Sequence, residues 1–272
     1  MIVTRPDLSE RTWLSKSALV GADMCPTKAW YEIHDRRPLI PAERITFGSA
    51  LDAAIEQIAT ALRAGMPATE ARPLEAAEQV TARDGVEVDM TEIDRACSMF
   101  VKVIAPAYDW ALCGLQPRIH EVLDGLGEVD GHPDIRFADG SIFDVKSSAK
   151  SKPADAAATS VELGLYALLS EAETGVPTPF VGYMTWVRTA KPSWQTVQAP
   201  VTDEMRRRTR AVASGYVRAK AADALLNRGQ PIAINFSFTG GPKNLGLCGT
   251  CQYNPANGGP CSLAVQGVSD DN

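Results

Sequence analysis

The chain has 272 residues, is 45% hydrophobic and carries a formal net charge of -6. That is enough apolar material for one large core or two modest ones, and no run is long and apolar enough to suggest a membrane span. The acidic balance does not announce a nucleic-acid partner, but whole-chain charge averages over patches and leaves a local basic face open.

The amino terminus has no apolar leader, so the expectation is a cytoplasmic protein without membrane contact. In a reducing compartment its six cysteines are not expected to form a disulfide framework. Residues 1–14 read as an irregular lead-in. Ser15-Lys16-Ser17 starts a helix carrying Leu19 and Val20, Met24-Cys25-Pro26 interrupts it, and a short helix follows from Thr27 to His34 with Trp30 and Tyr31. Cys25, beside a proline and near aromatic residues, is either a small core residue or a ligand. Thr46 to Ala64 is a strong helix with Leu51, Ile55, Ile58 and Leu62 as its apolar face, while Gly48, Asp52 and Glu56 share another. Residues 67–89 are Ala/Glu-rich and helical in the middle. Residues 91–113 form a further helix on Ile93, Ala96, Phe100, Val101 and Ile104, with a break at Pro106 and with Cys97 and Cys113 packed in this helical region.

From Pro117 the texture changes to strands. Arg118 to Leu123 alternates. Gly131 to Lys146 reads as a β-hairpin, with strands from His132 to Phe137 and from Ser141 to Ser147 around the turn residues Ala138-Asp139-Gly140. Strand period puts Asp144 and Lys146 on one face, with Asp134 on the facing strand. Two carboxylates and an ammonium there can hold Mg²⁺ and orient a water, or can be a solvated strand face with an ion pair. A polar loop, a helix from Pro153 to Glu173, strands at 180–188 and 194–199, and a long helix from Thr202 to about Asn227 complete this part. Between Val201 and Gln230 seven basic residues, Arg206, Arg207, Arg208, Arg210, Arg218, Lys220 and Arg228, stand against three acids. Such a helix can steer a nucleic-acid strand or be merely solvated.

The tail from Leu247 to Cys261 is loop-forming. Cys248 and Cys251, with two residues between them, followed by Cys261, make a tight ligand cluster. A tetrahedral site needs a fourth ligand, for which Cys25 is the better candidate and His34 the weaker. Four thiolates suit either Zn²⁺ or an iron–sulfur cluster, and spacing does not choose between them.

Asp134, Asp144-Val145-Lys146 and Glu162-x3-Tyr166 resemble the signature of the PD-(D/E)XK nucleases, RecB-like branch. Ser15-x-Ser17, Cys25-Pro26 and Trp30-Tyr31 are similar to that branch's amino-terminal signature. The cysteine pattern, one early and three late, is similar to the iron–sulfur staple of its CRISPR-associated and helicase–nuclease members. The resemblance runs from about residue 13 to 262. It implies a single domain over 1–272 with a restriction-endonuclease-like αβββαβ core. Residues 12–45 would be a helical preface, 46–230 the core with a helical insertion at about 66–113, and 231–272 a cysteine-stapled tail. The implied activity is metal-dependent hydrolysis of DNA phosphodiester bonds, as an exonuclease rather than an endonuclease, on single strands or duplex ends, with a recombination or CRISPR-adaptation protein as a further partner. In that picture Asp134, Asp144 and the Val145 carbonyl hold Mg²⁺ or Mn²⁺, Lys146 positions the attacking water and Tyr166 contacts the DNA backbone. Cys25, Cys248, Cys251 and Cys261 hold a [4Fe–4S] cluster. Three features depart from the pattern: Asp52 stands where the branch usually has a metal-binding histidine, Glu162 stands where it has glutamine, and the nine residues between Cys251 and Cys261 are more than the staple is expected to hold. The rival readings are a catalytically silent DNA-binding or assembly module on the same stapled fold, and a zinc-stabilised scaffold.

Overall fold

The structure is a computed structural model and describes residues 14–25 and 42–226. It opens on β1 (Leu14–Ser15) and α1 (Lys16–Met24). The Ser15 hydroxyl accepts from the Ala18 N–H at 3.2 Å, which satisfies an otherwise orphaned donor and starts the helix. The short helix expected at 27–34 lies outside the described residues. α2 (Glu43–Arg63) and α3 (Pro73–Asp84) follow, the second with proline in its first turn and left-handed Gly85 as its stop. α4 (Met90–Met99) is capped by Asp89 and passes through a π-helical turn, Phe100–Ile104, into a 3-10 turn, Ala105–Ala107. The helix expected over 91–113 therefore ends early. Pro106 cannot donate a backbone hydrogen bond and clashes with a continuing helix. Trp110 and Cys113 pack from the loop beyond, the Trp110 indole donating to the Ala105 carbonyl at 2.9 Å.

β2 (Gly114–Leu115), β3 (Ile119–Leu123), β4 (Gly127–Gly131), β5 (Ile135–Arg136) and β6 (Ile142–Ser148) come next. α5 (Val161–Thr174) begins at the Ser160 cap, not at Pro153, because residues 154–159 turn before it. β7 (Phe180–Val187), β8 (Ser193–Pro200) and α6 (Asp203–Leu226) complete the described chain.

The strands form two sheets, one of three strands in the order β1-β4-β3 and one of five in the order β2-β5-β6-β7-β8. β6 and β7 are parallel and joined through α5, while β5–β6 and β7–β8 are antiparallel. The result is a mixed α/β fold. Alternation along β6 and β7 covers both faces of the larger sheet. Phe143, Val145, Met184 and Trp186 pack with Phe47 and Leu51 of α2 and Ile93 of α4. Ile142, Val181 and Tyr183 pack with Leu163, Tyr166 and Ala167 of α5. The opposite side of α5, Val161, Leu165, Leu168 and Leu169, meets Ile119, Leu123 and Val129 of the smaller sheet. α5 is apolar nearly all round because it is a buried layer between two sheets. Burial pushes the Cys97 thiol up to about 12 and raises that of Cys113, which leaves both packed and inert. Among the described residues no helix is long and apolar enough to cross a membrane.

Candidate active site

β5 pairs with β6 only through Ile135–Phe143 and Arg136–Ile142. Beyond Phe143 that edge of β6 is open, and the polar residues gather there. Asp134, just before β5, accepts a hydrogen bond from the Val145 N–H at 2.6 Å, so a side chain replaces the missing ladder partner. Asp144 is buried and ion-paired through its Oδ2 with the Lys146 ammonium. Lys146 also reaches Glu162 of α5 at 3.4 Å. Asp52 comes from α2 on the opposite face and shares a small cavity with Asp134, Glu56, Gln116 and Val145. The open edge thus lets carboxylates from both faces of the sheet approach one another. Gln116 supports the arrangement. Its N–H donates to the Asp134 carbonyl at 2.9 Å, its side chain donates to Glu56 at 3.2 Å, and its φ of 42° lies in the left-handed region.

The electrostatics follow from crowding in a dry place. Burial raises Asp52 to about 7, with Lys146 opposing and Asp144 reinforcing the shift. Burial and then the Asp52 charge lift Asp134 to about 6. Burial raises Asp144 to about 8 in spite of Lys146, with Asp134 and Glu162 adding to it. For Lys146 burial disfavours the charge, but Asp144, Glu162 and Asp134 overcome it and hold the ammonium well above its usual range. Burial would raise Glu162 too, but Lys146 and Lys16 outweigh it and keep this carboxyl below its usual value. Without a cation, the three aspartates resist full ionisation near neutrality.

Carboxylates alone are the donor chemistry of a hard divalent ion, and the buried Asp144 Oδ2, with the Lys146 ammonium against it, is an oxygen that a cation can share. The donor set fits Mg²⁺ or Mn²⁺. The geometry is not preassembled, since among the described residues no three His, Cys, Asp or Glu side chains already enclose a cation position. Asp134 is engaged by Val145 and Asp144 by Lys146.

Other expected site residues stand differently. Tyr166 is fully buried and its hydroxyl donates to the His132 carbonyl at 2.9 Å. In this conformation it locks α5 to the chain entering β5 and is not presented to a DNA strand. Cys25 closes α1 and is half-buried; Cys248, Cys251, Cys261 and His34 lie outside the described residues. The first turns of the basic helix spend their charge locally, while the Lys220 side chain and Arg228 lie outside the described residues. Arg206 pairs with Glu171 and Asp203, Arg207 with Glu204, and Arg208 and Arg210 donate to the carbonyls of Ala158 and Asp124.

Four contributors were missed from sequence. Lys16 pairs with Glu162 at 2.8 Å. The Tyr183 hydroxyl donates to Glu162 at 3.4 Å and shares a hydrogen bond with Ser160 at 2.7 Å. Lys152 lies over the Tyr183 ring, 4.2 Å from its centroid, and Gln116 is the fourth. Lys16 sits inside the Ser15-x-Ser17 motif, which was a usable signal; nothing in local spacing marks the other three.

No protein-family model matches the chain, and no curated protein does. Thirteen solved chains match it, including the following two. One is SSO0001, at 12% identity and a TM-score of 0.43, over 96% of this chain and 90% of that one. The other is a Eubacterium rectale protein named "Putative exonuclease", at 10% identity and a TM-score of 0.49, over 88% of this chain and 100% of that one. At these scores neither likeness carries a family or an activity to this chain.

Proposed function

We propose that this chain is a metal-dependent nuclease of the PD-(D/E)XK type, RecB-like branch, hydrolysing DNA phosphodiester bonds on single strands or duplex ends. The observation that carries the reading is the meeting of Asp52, Asp134, Asp144 and Lys146 at the open edge of β6, with the carboxyl pKa values driven upward together. Asp134 and Asp144, with Asp52 in the place of the branch's histidine and the Val145 carbonyl, would hold Mg²⁺ or Mn²⁺. The bound ion would supply charge stabilisation for the phosphate and a lowered water pKa. Lys146, kept protonated by its acidic neighbours, orients the attacking water and steadies developing negative charge. α5 holds Lys146 in reach through Glu162, and Tyr166 keeps that helix in register with the hairpin.

The iron–sulfur staple on Cys25, Cys248, Cys251 and Cys261 belongs to the same reading and rests on the cysteine pattern. A recombination or CRISPR-adaptation partner is a further part of it.

A second reading, a silent DNA-binding or assembly module, is favoured by one observation: the acids are engaged by Val145 and Lys146 and do not enclose a cation position. Incubation with end-labelled linear and with circular single-stranded DNA, with and without Mn²⁺, separates the two. Metal-dependent loss of the linear strand with the circle intact is expected for the exonuclease. Stable binding without cleavage at any metal concentration supports the silent module.

A further inference from the structure

Glu162 is held more tightly than one acid in a helix's first turn requires. Its carboxylate meets Lys16 at 2.8 Å, Lys146 at 3.4 Å and the Tyr183 hydroxyl at 3.4 Å, and its side chain is 12% exposed. The lysines come from elements far apart in sequence, the start of α1 and the middle of β6. Lys152 belongs to the same neighbourhood. It covers the Tyr183 ring, and its backbone exchanges hydrogen bonds with the Gln195 side chain at 2.8 and 3.0 Å. Lys16 is fixed from a second side by the Tyr166 ring, 5.8 Å from its centroid.

Such convergence has two explanations. As a staple it would tie α1 to α5, although a partly buried ion pair contributes little net stability. As a ligand site it would be two ammonium groups and a phenol around one oxyanion, still reachable from solvent because Lys16 and Lys146 are 26% and 33% exposed. A carboxylate and a phosphodiester each present two oxygens sharing one negative charge, so a cradle shaped to the first also accepts the second.

We propose that Lys16 and Lys146, flanked by Tyr183 and Lys152, form a cradle for a DNA backbone phosphate at the active site, and that Glu162 is its internal occupant, displaced when a strand binds. The proposal rests on the nuclease reading and adds to it a phosphate-binding residue, Lys16, and a competing role for Glu162. It also accounts for an acid where the branch carries a neutral amide. The acid fills the cradle without substrate and sets a threshold that an incoming phosphate must overcome.

The test uses the full-length protein in EDTA and a fluorescein-labelled single-stranded oligonucleotide, with binding followed by anisotropy over a potassium chloride series. Lys16→Ala should weaken binding about tenfold, the scale of one charge-assisted contact. It should also reduce the salt slope by about 0.7, the share of one phosphate contact on a single strand. Lys16→Arg should restore most of both, whereas a purely architectural lysine would leave the salt slope of Lys16→Ala unchanged. Glu162→Gln keeps shape and removes the competing charge, so it should tighten binding several-fold. An unchanged slope in Lys16→Ala, or weaker binding in Glu162→Gln, overturns the cradle. So does reduced Mn²⁺ affinity of Glu162→Gln by calorimetry, because Glu162 would then be a metal ligand. If the wild type cuts DNA with Mn²⁺ but shows none of these changes, the cradle alone fails. If it neither binds nor cuts, the nuclease reading fails and the cradle with it.

Discussion

Asp52, Asp134 and Asp144 share one difficulty, which is that each is buried beside others of its own charge. Their carboxyl pKa values stand at about 7, 6 and 8, all above the usual 3.8. The folded protein therefore keeps protons that the unfolded chain releases, and the stability of metal-free protein should fall as pH rises from about 4 to about 8. Glu162 is shifted downward and Lys146 upward, so their own contributions change below and above that window. A divalent cation competes with the same protons. Mn²⁺ should then raise the unfolding temperature clearly at pH 8 and little at pH 5, measured by thermal unfolding with and without the ion. A metal-free unfolding temperature that climbs steadily between pH 5 and 8 would show that these carboxyls are not crowded as described. Asp52→Ala should lessen the Mn²⁺ shift, because it removes one oxygen donor and relieves Asp134.

The elements bring these residues together through a short strand and two close packings. Because β5 is only two residues long, the edge of β6 stays open where Asp134 and Asp52 reach it. Gly182 of β7 lies against Phe143, the neighbour of Asp144, and a Cβ there would come within 2.6 Å of the ring and 2.9 Å of the Val197 carbonyl. Gly182→Ala should cost about 1–3 kcal/mol in denaturant unfolding, the scale of overpacking a core; no change would mean the sheet tolerates a shift there. Gln116→Gly should relieve the left-handed backbone at φ 42° and raise stability by about 1 kcal/mol, while losing the side-chain bond to Glu56 and loosening the cavity around Asp134. Much of this level was legible in sequence. The helix over 46–64, the hairpin turn at Asp139-Gly140 and the strands near 180 and 194 follow from periodicity and turn chemistry, and each is present within a few residues. β4 was missed because Gly-Glu-Val-Asp-Gly has neither an apolar run nor alternation of any length. The start of α5 was placed early because Ala156 and Ala157 continue an apolar pattern that the turns at 154–159 interrupt. No local signal pairs Lys16 with Glu162, since contacts across such a separation are made by the fold.

At the scale of the molecule, the larger sheet carries the acids while α5 joins it to the smaller sheet and to α1, whose end bears Cys25. A metal joining Cys25 to Cys248, Cys251 and Cys261 would close a loop of more than two hundred residues. By the chain-entropy argument it would contribute several kcal/mol, about what a long disulfide loop gives. Protein purified without oxygen should be brown, with visible absorption that bleaches on reduction, and Cys251→Ser should lose colour and solubility together. Colourless protein with one equivalent of zinc would replace the cluster by a zinc staple. The central claim is that the open edge of β6 is a hydrolytic site, and its most direct test is DNA cleavage by matched proteins in Mn²⁺: wild type, Asp134→Ala and Lys146→Ala. The account predicts cutting by the wild type that EDTA abolishes, together with a loss of at least about a hundredfold in both variants, the lower range for removing a group that stabilises developing charge, and with both variants still cooperatively folded. Cleavage by folded Asp134→Ala at the wild-type rate would contradict it.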